Sequence, residues 1–277
     1  MKNLFIVLIL FTLSSCSLQH SKKEVHKNSF VITTPYGEMK GYLYDNTPLH
    51  RDNFIKLVNE GFYDSLLFHR VINNFMIQGG DPESKNAKQG QQLGNGGPGY
   101  KVPAEFRKEN IHKKGALAAA REGDNVNPEK ASSGSQFYIV QGVVYDSLKL
   151  ATIDKQFTQQ KQNKKVMEFI RLPENKPLVQ KFDSLQKARN KKAISTLWKE
   201  TQDKAKEFYK EDWPNGFTPE QKKIYTTVGG TFHLDGEYTV FGEIYEGLEV
   251  LDSIAKAKVD GNNRPIKDIR FTIKMIK

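Results

Sequence analysis

Apolar and polar side chains alternate along residues 30–44, first in Phe30-Val31-Ile32-Thr33 and then in Met39-Lys40-Gly41-Tyr42-Leu43-Tyr44, around Pro35-Tyr36-Gly37. Alternation on both sides of a turn-forming tripeptide predicts a β-hairpin. The period then changes. After Thr47-Pro48, Phe54, Leu57 and Val58 recur at helical spacing until Gly61. This predicts a helix with Thr47 as N-cap and Pro48 at its first position. Strand spacing returns over residues 68–78. It places Phe68, Arg70 and Ile72 on one face and His69 and Val71 on the other. Past the Asn73-Asn74 turn, Met76 and Gln78 share a face opposite Phe75 and Ile77. The stretch 144–228 reads differently. Leu178, Phe182, Leu185, Ala193, Leu197, Ala205 and Phe208 follow an approximate helical period, interleaved with Lys and Glu. Pro177 starts that helix and Asn215-Gly216 ends it, with a break between 178 and 212 expected from its length. Thr218-Pro219-Glu220-Gln221 predicts a second start with a capping box of Thr218 and Gln221.

The N-terminus carries a different signal. Met1-Lys2 is a short basic region, and Leu4 to Leu13 is apolar but too short to span a bilayer. The sequence Leu13-Ser14-Ser15-Cys16 resembles the lipobox of bacterial lipoproteins, and Cys16 is the only cysteine of the 277 residues. The resemblance implies a signal peptide over 1–15 and a lipidated Cys16 at the head of a polar tether, 16–28. Such a cysteine bears several acyl chains, enough for stable anchoring in a membrane. Ser17, where enterobacterial sorting would place Asp for the inner membrane, implies the outer membrane. One cysteine excludes intrachain disulfides.

Charge changes the picture in one respect. The chain holds 42 Lys and Arg against 32 Asp and Glu, a formal net charge of +10. Residues 151–230 alone hold 17 basic against 10 acidic residues. For an exported, lipidated chain, anionic lipid or acidic polypeptide segments fit this balance better than nucleic acid. The closely spaced glycines of Gly94-Asn95-Gly96-Gly97-Pro98-Gly99-Tyr100 do not form a phosphate cradle. No Lys-Ser/Thr follows them, and Pro98 removes a backbone donor. The six His show no metal-ligand spacing.

Three blocks carry the chemistry: Phe68-His69-Arg70-Val71-Ile72-Asn73-Asn74-Phe75-Met76-Ile77-Gln78-Gly79-Gly80-Asp81, then Ser133-Gly134-Ser135-Gln136-Phe137-Tyr138-Ile139-Val140, then Leu234-Asp235-Gly236-Glu237-Tyr238-Thr239-Val240-Phe241-Gly242. The first sets a guanidinium and an amide beside large apolar side chains, which suits gripping an extended peptide. Alone it would be a hairpin with one solvated Arg. Together, in this order, the blocks resemble the cyclophilin family of peptidyl-prolyl isomerases over 29–143 and 229–277, leaving 144–228 as a basic helical insertion. The resemblance implies a mainly β fold, a closed antiparallel eight-stranded β-barrel with capping helices. It also makes Gly115-Ala116-Leu117-Ala118-Ala119-Ala120 a strand, where alanines alone would suggest helix.

The resemblance further implies Arg70 and Gln136 as catalytic residues, Arg70 acting on the prolyl nitrogen with Gln136 supporting it. Phe75, Met76, Tyr138 and Leu234 would hold the proline ring and Gln78 the substrate backbone, with Ala120, Arg121, His233 and Tyr238 completing the binding site. No cofactor or metal is implied. The departures are specific. His233 stands where many eukaryotic members carry Trp, which predicts weak cyclosporin binding. Tyr138 and Tyr238 replace Phe and His. Arg121 takes the place of a backbone-gripping Asn, where it would favour acidic residues beside proline or remain a solvated loop charge. His69, facing away from Arg70, reads as a satisfied structural histidine. The expected function is isomerisation of proline-containing exported polypeptides during envelope folding, by a monomer. A membrane-tethered chaperone or adapter that binds proline segments with little turnover is the alternative. A third is a scaffold whose insertion binds a dedicated partner.

Overall fold

The computed structural model describes residues 26–276. The expected signal peptide, Cys16 and most of the tether lie outside them. The predicted hairpin forms as β1 (Ser29–Thr34) and β2 (Gly37–Leu43), paired antiparallel with Ile32 opposite Met39. Helix α1 (Pro48–Asn59) follows and buries Phe54, Leu57 and Val58. Its start is where the sequence places it, but its cap is not. The Thr47 side chain makes no capping bond and its buried hydroxyl has no partner among the described residues. Instead the Glu105 carboxylate accepts from the backbone N–H groups of Leu49 (3.2 Å) and His50 (3.0 Å). A carboxylate suits the positive end of a helix better than a hydroxyl does.

Next come β3 (Leu66–Leu67), β4 (Arg70–Ile72), β5 (Met76–Gly79), β6 (Lys101–Val102), β7 (Ala116–Ala119), β8 (Ser132–Ser133) and β9 (Phe137–Val140). After the helical stretch, β10 (Val240–Glu246), α6 (Leu248–Ala255) and β11 (Arg270–Met275) complete the chain. Nine strands form one antiparallel sheet in the order β3-β11-β1-β2-β10-β7-β9-β5-β4, and β6 pairs with β8 separately. The count differs from the eight expected. No ladder joins the end strands β3 and β4, so closure of the sheet is not by strand pairing. These two strands are consecutive in the chain, two residues apart, and the sheet curls strongly enough for one bent segment to supply both its edges. Inside the curl lies the main core, with Phe30, Ile32, Ile77, Leu117, Ile139 and Phe271 at 0–2% exposure and α1 and α6 packed into it. Burying both kinds of element in one apolar interior is what stabilises such a fold without disulfides.

The bend at Phe68-His69 breaks the predicted alternation. Phe68 and Val71, expected on opposite faces, both enter the main core. Likewise Phe75, in the turn before β5, packs on the same side as Met76. A period-two rule holds only within a continuous strand, and Phe68 and Phe75 lie outside one.

Residues 144–228 are helical, as predicted. They comprise α2 (Ser147–Ile170), α3 (Lys176–Lys187), α4 (Lys191–Tyr209) and α5 (Pro219–Thr227). The expected break falls at Arg189, whose φ of 51° no helix interior permits. The Thr218–Gln221 capping box is present in both halves. Helices α2–α4 enclose a small core around Val166, Phe169, Ala205 and Trp213. A second cluster joins α2 and α5 to segments that flank the sheet strands: Leu150 and Tyr225 pack with Ile111 and Phe232. The stretch leaves and returns at one point, because Val143 and Gly230 exchange backbone hydrogen bonds of 3.3 and 3.0 Å. Among the described residues no helix is long and apolar enough to cross a membrane.

Candidate active site

The site lies on the outer face of the curled sheet, not inside it. Register aligns Arg70 (β4), Gln78 (β5), Tyr138 (β9) and Ala118 (β7) in one row across four strands. Because Ile77, Ile139 and Leu117 point inward to the core, their neighbours must point outward. Met76, Ala116, Ala118, Tyr138 and Val140 form a separate outward cluster with Phe75, Ala120, Leu234 and Tyr238 packed on it. The alanines are small, so the sheet surface is hollow there while the aromatic side chains stand around it. The result is a cavity of about 530 Å³ lined by Arg70, Phe75, Met76, Gln78, Ala120, Arg121, Tyr138, Leu234 and Tyr238. Nine of the eleven expected residues therefore meet.

The two exceptions are informative. His233 does not line the cavity; its ring stacks on Phe75 at 5.6 Å and 22°. Burial holds its pKa below the usual histidine value, with His112 adding to the effect. Gln136 does not touch Arg70. The Arg70 guanidinium donates to Gln78 Oε1 (3.2 Å), the Gln78 amide donates to Gln136 Oε1 (3.1 Å), and the Gln136 amide donates to the carbonyls of Gly94 (2.9 Å) and Gly96 (2.7 Å). Each amide thus gives on one side and accepts on the other, which fixes the orientation of both. Gln78, expected to hold substrate, is the direct partner of Arg70, and Gln136 acts through it.

Arg121 fits neither reading made from the sequence. Its side chain is 4% exposed and pairs with Asp124 (2.7 Å). It also donates to the backbone carbonyls of Glu122 and Glu237, each at 2.9 Å, and lies 4.6 Å over the Tyr238 ring. With its donors engaged and its charge neutralised, it shapes the cavity rim through Tyr238 instead of offering a cation to substrate.

His69 also departs from expectation. The bend that breaks the alternation brings it into the same cavity as Arg70, 4% exposed, and neither ring nitrogen has a hydrogen-bond partner among the described residues. Burial pushes its pKa down to about 4; Asp81 opposes the shift, and Arg70 and Arg264 add to it. A histidine that stays neutral when folded but titrates near 6.5 when unfolded binds its proton in the unfolded state first. Its contribution is intact above pH 6.5 and is lost as pH falls towards 4, by roughly 3 kcal/mol at about 1.4 kcal/mol per unit. Denaturant unfolding between pH 7 and 4 should show that loss, and His69→Gln should flatten it. Equal slopes in both proteins would remove His69 as the cause.

Two loops complete the cavity on the side of His69: Gln91–Gly94 and Asp260–Arg264. Arg264 ties them together by donating to the carbonyls of Lys88 (3.0 Å) and Gln91 (2.7 Å). Neither loop has periodicity or a motif that would mark it in the sequence.

The family model described as cyclophilin type peptidyl-prolyl cis-trans isomerase/CLD matches residues 29–197 and 221–275. A Staphylococcus epidermidis protein whose name gives it this activity is 30% identical over 253 residues, covering 89% of this chain and 91% of that one. A peptidyl-prolyl cis-trans isomerase of Synechococcus elongatus is 42% identical over 110 residues, or 39% of this chain and 66% of that one. Among solved structures, a cyclophilin type peptidyl-prolyl cis-trans isomerase of Cryptosporidium parvum has the same fold, with a TM-score of 0.51 and 19% identity. That match covers 91% of this chain and 99% of that one. The chain belongs to the cyclophilin-type peptidyl-prolyl cis-trans isomerases.

Proposed function

We propose that Arg70 isomerises prolyl bonds by stabilising the twisted amide, in exported polypeptides that fold at a bacterial envelope to which Cys16 tethers the enzyme. An Xaa-Pro bond rotates slowly because resonance must be broken, against a barrier of about 18–20 kcal/mol. In the twisted form the prolyl nitrogen regains a lone pair. A donor aimed at it binds that form more tightly than the planar one, which is what lowers the barrier. A guanidinium keeps its charge at every relevant pH and offers several N–H groups in a fixed plane. One of these is committed to Gln78, which leaves others for the substrate. The apolar wall of Phe75, Met76, Tyr138 and Leu234 suits the proline ring, and excluding water strengthens the charge beside it.

The observation that carries this reading is the oriented Arg70–Gln78–Gln136 chain beside that apolar wall. A pure binding module has no need for a cation held so specifically. The test is turnover of an Xaa-Pro tetrapeptide by a soluble form beginning at Ser17, with Arg70→Ala as control. Peptide binding without turnover would favour the adapter alternative. Cys16→Ala should move the protein from membrane to soluble fractions, whereas unchanged fractionation would end the lipid-anchor reading. The segment 144–228 is proposed as an insertion into the isomerase domain 29–143 and 229–277, because the Val143–Gly230 pairing brings its two ends together.

A further inference from the structure

Tyr138 forms part of the cavity wall, yet its hydroxyl points to a buried partner. It lies 2.9 Å from Nε2 of His112, whose side chain is fully buried and stacks on the Tyr138 ring at 6.0 Å and 13°. His112 Nδ1 is 3.0 Å from Asp235 Oδ1, which also accepts from the His112 backbone N–H at 2.8 Å. A carboxylate oxygen only accepts, so Nδ1 carries a proton, and in the neutral tautomer Nε2 is then the acceptor that the Tyr138 hydroxyl faces. The other carboxylate oxygen, Asp235 Oδ2, accepts from the hydroxyl of Tyr225 at 2.5 Å. Tyr225 is wholly buried and belongs to α5. From α2, Lys161 donates to the Asp235 backbone carbonyl at 3.1 Å.

One carboxylate therefore backs two walls of the cavity. It reaches Tyr138 through His112, and Leu234 is its immediate neighbour in the chain. Two residues before Leu234, Phe232 is gripped by rings of the helical stretch, with Tyr145 at 5.2 Å, Phe157 at 5.3 Å and Phe217 at 5.4 Å. None of the residues 144–228 lines the cavity itself. A phenylalanine at 138 would need none of this support; the buried hydroxyl requires an acceptor, and the chain supplies one on an oriented relay.

We propose that Asp235, His112 and Tyr225 are positioning residues for the prolyl pocket, and that α2 and α5 set its affinity for peptide through them. The proposal rests on the isomerase reading of the cavity. It predicts an effect on binding more than on the chemical step, since the relay ends at the wall that holds the proline ring and not at Arg70.

The test is a double-mutant cycle of Tyr225→Phe and Tyr138→Phe in the full chain, purified in detergent. Each deletes one hydroxyl and keeps its ring. An Ala-Ala-Pro-Phe tetrapeptide serves as probe, with its Kd, KM and kcat read alongside the thermal midpoint. Tyr225→Phe should raise Kd and KM about tenfold, the lower end of what loss of a hydrogen bond to a charged group implies, with kcat within about twofold. The double variant should be no weaker than the weaker single one, because the relay is already broken. A fall in the midpoint with Kd and KM unchanged, or effects that multiply independently, would overturn the proposal. Failure of the isomerase reading looks different: the unmodified chain would bind the peptide without turnover, and the cycle in Kd would still report on the relay.

Discussion

Arg70→Ala should lower kcat/KM by about 10²–10³, the range found when a single transition-state hydrogen-bond donor is removed. Its binding of the tetrapeptide should change little, because Phe75, Met76, Leu234 and Tyr138 hold the ring and remain in place. The thermal midpoint should hold as well, since Arg70 is partly exposed and makes one side-chain hydrogen bond, to Gln78. Arg70→Lys separates charge from shape. An ammonium keeps the charge, but it lacks the planar fork that can bond Gln78 and the prolyl nitrogen together. It should recover only a small part of the loss. Stopped-flow isomerisation at low temperature, where the uncatalysed rate is slow, reads all three proteins. A drop of less than tenfold in Arg70→Ala would place the main source of catalysis elsewhere.

The second large effect is expected at a residue that never meets substrate. Asp81 is fully buried. It accepts from the backbone N–H of Glu83 at 2.8 Å through one oxygen, and from Gly94 at 2.5 Å through the other, with Gly96 at 3.4 Å. It thereby fixes the loop whose carbonyls hold Gln136, and through Gln136 and Gln78 the loop orients Arg70. Asp81→Asn keeps the size but turns an NH₂ group against backbone donors whichever way the amide rotates. Leaving buried donors unmatched, with the loss of a charge-assisted bond, should cost about 2–4 kcal/mol. Loosening of the amide chain should also reduce kcat/KM by about tenfold, through orientation alone. Chemical denaturation and peptide turnover measured on the same preparation test both. Lost stability with full turnover would show that the loop holds Gln136 without Asp81.

What the sequence discloses depends on how locally each feature is determined. The hairpin, α1 and the Thr218–Gln221 capping box are set by neighbours a few residues apart, and periodicity reveals them. Most of the cavity was legible for a different reason: the residues in the three motif blocks keep their order and spacing from strand to strand. The features that escaped depend on distant partners. Glu105 caps a helix 56 residues earlier than itself. Arg121 pairs with nearby Asp124, but it is held in its buried position by the backbone carbonyl of Glu237, 116 residues away. The outward position of the whole site follows from which face the curl encloses, and period two cannot choose between faces. His69 shows the limit most clearly. One bend between two short strands reverses the phase, and a residue read as structural lands beside Arg70.

The strand order has a consequence for when the molecule can fold. The last strand, β11, sits between β1 and β3, with Ile273 opposite Ile32 and Phe271 opposite Leu66. The middle of that ladder is therefore made after both strands that flank it. Until the residues up to Met275 have left the ribosome, β1 and β3 each lack a neighbour, and Phe30 and Phe68 lack the ring of Phe271 in their shared core. Pairing the two ends of the chain is also the contact that costs most loop entropy and forms slowest. Synthesis and folding are thus separated in time by the topology itself, because β1 and β3 stay unjoined until β11 has been made.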